Sequence, residues 1–218
     1  MDGTTIQARV YSGYAKAASV IGQVFNLFRP LAFDAPLGNQ VGTIKAALDS
    51  GAEYNFKKPN EYGDPTWFAL INDATTQTGD YIQNASGAYF IAGKQFLLPV
   101  IVVECNRSVR ISRQVTSSAV GAVGYSGTTA SNEVNILGAA NALWPASILF
   151  GGKSQSSMGL PAGAKQTGWR VLLPPSVPST VLISASDIIT DDLGRRYLID
   201  GAELTDLGWR INCNELHT

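Results

Sequence analysis

Charged side chains are scarce in this sequence, where they make up 15% of 218 residues. Typical soluble domains contain about 25%. The 16 basic and 17 acidic residues nearly cancel, so no field of one sign attracts a polyanion or an anionic membrane. We therefore expect no specific nucleic-acid binding and no membrane attachment. Because soluble monomers use surface charge to prevent association, the shortage indicates that much of the surface contacts other protein. A compact β-rich domain is the alternative explanation.

Histidine and long apolar runs are also lacking. The one histidine is His217, beside the last residue of the sequence. A nucleophile–histidine pair needs a rigidly held imidazole, whereas chain ends fray, so this type of catalysis is not expected. No apolar run reaches the ~18 residues of a membrane-spanning helix, and the first residues lack the basic and apolar regions of a secretory signal.

Cysteine occurs twice, as Cys105 and Cys213, in strand-like runs without the close spacing of a zinc site or a redox pair. This pattern predicts free buried thiols. The acidic residues do not follow the spacing of a calcium-binding loop, so we expect no metal and no cofactor. A carboxylate pair for glycoside cleavage stays open, because such a pair has no sequence signature. Its candidates are Glu53, Glu61, Asp64, Asp73 and Asp80, and Asp80 and Asp187 are the two to test by substitution.

The first residues have the pattern of an amphipathic helix. Thr4 and Thr5 can cap it, apolar residues recur at intervals of three and four up to Ile21, and Gly22 can end it in a left-handed conformation. Beyond it come short runs rich in aromatic and β-branched residues, separated by turn residues, which is typical of β-strands. The predicted organisation is a helix and first strand in 1–30, a first β-module in 31–113, an extended arm or hairpin in 114–168 and the core of a second β-module in 169–218.

The predicted arm has little charge but is not a simple linker. From Gln114 to Gly168 only Glu133, Lys153 and Lys165 are charged. A flexible Gly/Ser linker would lack large apolar residues, and this segment contains several. We expect it to become ordered against a neighbouring chain or its own barrel, with a flexible tether as the alternative. The predicted contacts with other subunits are Tyr125, Thr128, Ile136, Leu143, Trp144 and Phe150 in the arm, and Tyr11, Tyr14 and Lys16 on the helix.

Two stretches of the chain resemble each other. "YFIAGKQFLLPVIVVECN" and "YLIDGAELTDLGWRINCN" have the same length and align without a gap, and a strand led by Trp67 or Trp169 precedes each. Both spell a turn, a strand of alternating inward residues, a glycine that permits a bend, and a last strand. This predicts a mainly β fold of two tandem antiparallel barrel or sandwich modules, related by internal duplication. The matched pairs are Asp80 with Asp187, Gly87 with Gly194, Tyr89 with Tyr197, Ile91 with Ile199, Gly93 with Gly201, Cys105 with Cys213 and Asn106 with Asn214.

The last stretch, "SDIITDDLGRRYLIDGAELTDLGWRINCNELHT", resembles the small β-domains of tailed-bacteriophage head–tail joining (neck) proteins. "GYAKAASVIGQVFNLFRP" and "YSGTT" are similar to stretches of virion proteins encoded among the structural genes of tailed phages. The resemblance implies a structural virion component without catalysis, built into an oligomeric ring at the neck, tail or baseplate. It implies as partners portal or adaptor, tail-tube, sheath or fibre proteins, and assembly in the cytoplasm of the bacterial host.

Three other functions stay open. The first is a tail, baseplate or fibre-attachment component. The second is a carbohydrate-binding module that recognises a receptor through exposed aromatic residues. The third is a hydrolase with an unmarked carboxylate pair. Trp67, Tyr81, Tyr89 and Phe90 could stack on sugars, but they alternate along strands and fit core positions better.

Overall fold

The computed structural model of the chain describes residues 2–57, 59–61, 63–114, 133–151 and 168–216. It confirms the predicted fold class. In the described ranges the chain is mainly β, with one α-helix near its start and two closed antiparallel barrels of six strands each.

The helix α1 spans Gly3–Ile21, and a short 3-10 helix spans Asp73–Thr75. The first barrel consists of β1 Gln23–Phe28, β2 Gln40–Asp49, β3 Thr66–Ile71, β4 Tyr81–Asn84, β5 Gly87–Gly93 and β6 Val100–Cys105. The second consists of β7 Arg107–Gln114, β9 Trp144–Phe150, β10 Gly168–Leu173, β11 Ile188–Asp191, β12 Arg196–Thr205 and β13 Gly208–Leu216. A seventh strand of the same sheet, β8 Glu133–Leu137, pairs with β7 alone.

The helix begins and ends differently from the sequence prediction. Asp2, not a threonine, is the N-cap, and its carboxylate accepts a hydrogen bond from the backbone N–H of Thr4. Gly22 ends the helix with extended backbone, at φ −77°, so the predicted left-handed cap is wrong. Glycine is required there by close approach, because a Cβ would lie 2.4 Å from the Ala18 carbonyl oxygen.

The two barrels have the same strand order. In the first, the strands neighbour one another in the order β1-β2-β3-β6-β5-β4 and close from β4 to β1. In the second, the order is β7-β9-β10-β13-β12-β11, and β11 closes on β7. Two strands pair with the same edge of β7. The first residues of β7 pair with β9, and its last residues pair with β8. The pair β8 and β9 therefore takes the place that β2 alone has in the first barrel.

Strand pairing places several of the matched residues at equivalent positions of the two barrels. Tyr89 and Tyr197 each pair with an isoleucine of the preceding strand. The pairing then slips by one residue before Gly93 in β5 and before Gly201 in β12, a β-bulge at the same place in each barrel. Trp67 pairs with Val102, as Trp169 pairs with Cys213.

The predicted equivalence of the two cysteines is wrong. Ile91 pairs with Val102, whereas Ile199 pairs with Cys213, so Val102 and not Cys105 corresponds to Cys213. The hairpin of β12 and β13 is longer than that of β5 and β6, and a gapless alignment therefore shifts the last strand by three residues. For the same reason Asn106 does not correspond to Asn214.

The two asparagines have different contacts. The Asn106 side chain bonds both the N–H and the C=O of Ile148, at 2.8 Å each, and joins the barrels. Asn214 donates to the Asp200 carboxylate. The glycines at the shorter hairpins also differ, because Gly194 takes the predicted positive φ, 79°, and Gly87 simply begins β5.

Strand pairing divides the chain at Asn106, not at the predicted limits of 113 and 168. β7 pairs with β9 and β11 and so belongs to the second barrel, as do β8 and β9 of the predicted arm. Because a single residue links β6 to β7, the two strands look like one run in the sequence. Within the arm, 133–151 is ordered against its own barrel, and the rest of it, 115–132 and 152–167, lies outside the described residues.

Alternating side chains build the cores. Inward residues of β1 to β6 fill the first barrel, with Leu27, Ile71, Ile82 and Ile91 almost fully buried. Outward residues of its β4 to β6 join the core of the second barrel in one continuous cluster. The Tyr81 hydroxyl donates to the Pro145 carbonyl oxygen at 2.7 Å across this contact. The barrels therefore form one packed unit.

Candidate protein-docking groove

The residues predicted to contact other subunits have different environments. Trp144 is fully buried, packs edge-on against Tyr81 and donates from Nε1 to the Phe33 carbonyl oxygen at 2.6 Å. Its predicted role in subunit contacts is therefore wrong. Ile136 and Leu143 are half-buried, and Phe150 is 60% exposed against the edge of Trp169. Tyr125 and Thr128 lie outside the described residues.

The helix residues of that prediction do not share one surface. Tyr11 and Tyr14 are half-buried, and Tyr14 packs edge-on against Tyr54. Lys16 is exposed on another side of the helix. Ala18 is the buried contact of the helix, against Ala47 and Leu70. The tyrosines therefore help to hold the helix on the first barrel.

Each barrel has a carboxylate that is buried against an arginine. The Asp80 carboxylate accepts two bonds from Arg29, from Nε and Nη2, each at 2.8 Å. Asp187 accepts two from Arg113 at 2.7 and 2.9 Å. These hydrogen bonds raise the pKa of both arginines and keep them charged. Asp80 and Asp187 are 1% and 2% exposed, so both are structural groups of the barrels.

Other carboxylates from the sequence prediction meet in one place. Glu53, Glu61 and Asp64 line a cleft of about 570 Å³ beside the loop that follows β2. Asp49 lies there too and accepts a bond from the backbone N–H of Phe56 at 3.0 Å. In the described part of the chain, no group of three or more histidine, cysteine or acidic residues could hold a metal ion.

Most of the predicted core residues are buried, but Trp67 and the Cys105 thiol are half-buried. Tyr81, Tyr89 and Phe90 are buried, so none of the three offers a face to a sugar. Cys105 and Cys213 are free, and burial raises the pKa of the Cys213 thiol to about 12. The Cys105 thiol also has a raised pKa, caused mainly by burial.

An apolar groove lies at one end of the second barrel, with a volume of about 380 Å³. We call it the docking groove. Leu182 and Leu204 on its walls are 69% and 56% exposed, and Trp209 forms part of its floor. Its lining residues are Val177, Pro178, Ser179, Val181, Leu182, Ile183, Ala202, Leu204 and Trp209, of which none is charged.

The loop between β10 and β11 forms one wall of the docking groove. Val181 and Ile183 are buried in the barrel core, so Leu182 between them points to the outside. Arg113 fixes this geometry, because its Nη2 donates to the Leu182 carbonyl oxygen at 2.7 Å while the guanidinium holds Asp187. A second anchor is Asp187 itself, which accepts the N–H of Ser184 at 2.8 Å.

The long hairpin of β12 and β13 forms the other wall. Its tip reaches the first barrel, where a Cβ on Gly93 would lie 2.7 Å from Leu207. The turn is closed by Thr205, whose hydroxyl donates to the Gly208 carbonyl oxygen at 2.8 Å. Leu204 precedes this turn on the exposed side. Both walls are therefore fixed by hydrogen bonds or packing while their leucines remain open to solvent.

This arrangement suits the binding of apolar side chains. Covering one exposed leucine contributes about 1.5–3 kcal/mol, and the lining offers no charge that would have to be desolvated. The sequence prediction did not include these residues. The signal that could have found them is "VPSTVLI", an apolar run between Pro175 and the matched Asp187 that has no similar counterpart before Asp80.

Comparison with known proteins identifies no relative. No protein-family model, no curated protein and no solved structure matches the chain. Among the described residues, no helix combines the length and apolar character needed to cross a membrane.

Proposed function

We propose that this chain is a structural, non-catalytic subunit of a tailed-phage virion. It forms part of a ring at the neck or in the tail and joins neighbouring virion proteins. The observation that carries the proposal is the docking groove, an uncharged apolar surface with Leu182 and Leu204 largely exposed. Large contiguous apolar patches are rare on the surfaces of soluble monomers. Where they occur, they often mark protein–protein contacts.

Two further features support the proposal. Val20, Ile21 and Val24, where α1 meets β1, are 79%, 55% and 58% exposed, which gives the first barrel an exposed apolar surface of its own. The chain is poor in charged residues and has a formal net charge of −1, so association meets little electrostatic repulsion. Two barrels packed as one unit, each with an exposed apolar surface, suit a rigid subunit that contacts a neighbouring subunit at each surface.

The test uses the full chain and the virion proteins encoded beside it. We expect the purified chain to form a ring or to bind at least one of these proteins, measured by sedimentation and mass photometry. The double variant Leu182→Asp/Leu204→Asp should weaken this association at least tenfold. Leu31→Asp is the matched control, because Leu31 is 72% exposed and lies outside the docking groove.

Two results would contradict the proposal. One is a wild-type chain that stays monomeric at all concentrations and binds none of the neighbouring virion proteins. The other is cleavage of a polysaccharide that depends on Glu53, Glu61 or Asp64, because these three carboxylates line one cleft. Substitution to glutamine or asparagine at each position tests the second result.

A further inference from the structure

We draw no further inference here: the strongest candidate, the docking groove at one end of the second barrel with Leu182 and Leu204 exposed on its walls, carries nothing further because nothing in the described part of the structure shows what covers it.

Discussion

The two barrels have the same strand order, and what differs between them is their surroundings. In the first barrel α1 lies over Ala47, which points outward from β2. The corresponding residue of the second barrel is Ser147, which is also fully buried although it points outward from β9. Its neighbours Pro145 and Ile148 are bound by Tyr81 and Asn106. The first barrel therefore covers the second where α1 covers the first.

The comparison shows where a duplicated fold keeps its residues and where it changes them. The bidentate arginine–aspartate pairs and the β-bulges are the same in both copies because they close the barrel. The outward faces differ because each has a different neighbour. Ala92 of β5 is buried in the contact with the second barrel, whereas Asp200, the corresponding residue of β12, is exposed.

One further difference concerns the paired tryptophans. Trp67 Nε1 donates to Glu104 at 2.9 Å, while Trp169 Nε1 is buried and has no hydrogen-bond partner among the described residues. Glu215 stands two residues after the partner of Trp169 along the last strand, as Glu104 does for Trp67. The tryptophan and glutamate are thus present twice, and the hydrogen bond is made in the first copy.

The largest expected effect tests whether the barrels unfold as one unit. Trp144→Ala removes a fully buried indole and its bond to Phe33, so we expect a loss of about 4 kcal/mol in the free energy of unfolding. Ile44→Ala, at the corresponding position of the first barrel, should cost about 3 kcal/mol. Urea unfolding followed by fluorescence and circular dichroism gives both values. Because the cores are continuous, each variant should show one transition, and two separate transitions would contradict this.

The next effect compares the two ion pairs. Asp80→Ala should cost about 3 kcal/mol, because it leaves Arg29 partly buried without its partner. Asp187→Ala should cost about 2 kcal/mol, since the Arg113 side chain is 43% exposed and that of Arg29 is 27% exposed. Asp206→Ala, at an exposed turn, is the control and should have little effect. If Asp187→Ala costs more free energy of unfolding than Asp80→Ala, the solvent exposure of the arginine does not determine which ion pair contributes more.

A smaller effect depends on pH and on Cys213. Its thiol has a pKa of about 12 in the folded chain and about 8.5 when unfolded. The unfolded state therefore loses this proton first, and the stabilisation present below pH 8.5 is lost as the pH rises toward 12. The contribution amounts to about 2 kcal/mol between pH 7 and pH 10. The Cys213→Ala variant should therefore lose about 2 kcal/mol less free energy of unfolding than the wild type between pH 7 and pH 10. Urea unfolding at each pH measures this difference. If Cys213→Ala leaves the pH dependence of stability unchanged, the raised pKa of the Cys213 thiol is contradicted.

The smallest effect compares the two bulge glycines. A Cβ on Gly93 would lie 2.7 Å from Leu207, whereas nothing lies within 4 Å of a Cβ on Gly201. Gly93→Ala should therefore cost about 1 kcal/mol, and Gly201→Ala should be neutral or stabilise the chain by about 0.4–1 kcal/mol. Thermal unfolding of both variants gives the difference. Leu207→Ala should relieve most of the cost of Gly93→Ala, and additive effects would mean that the hairpin tip does not press on Gly93.

The sequence predicts the fold more completely than it predicts the candidate site. Tyr89, Tyr197 and the bulge glycines could be matched because they keep their spacing in short hairpins. Leu182 could not be matched to Thr75, since the loops that contain them differ in length and composition and only the arginine contacts align them. The low charge of its segment predicts Trp144 at the surface, whereas the pairing of β9 with β7 and β10 buries it.

The sequence by itself determined the β class, the turns and the repeated hairpin. These depend on side-chain alternation and turn residues within about ten positions of one another. Only the tertiary structure decided that β7, β8 and β9 belong to the second barrel, that Asn106 is the junction, and that an apolar groove stays open beside Leu182 and Leu204. Such features arise from contacts between residues far apart in the chain, where the energy of packing, and not local preference, selects the partner.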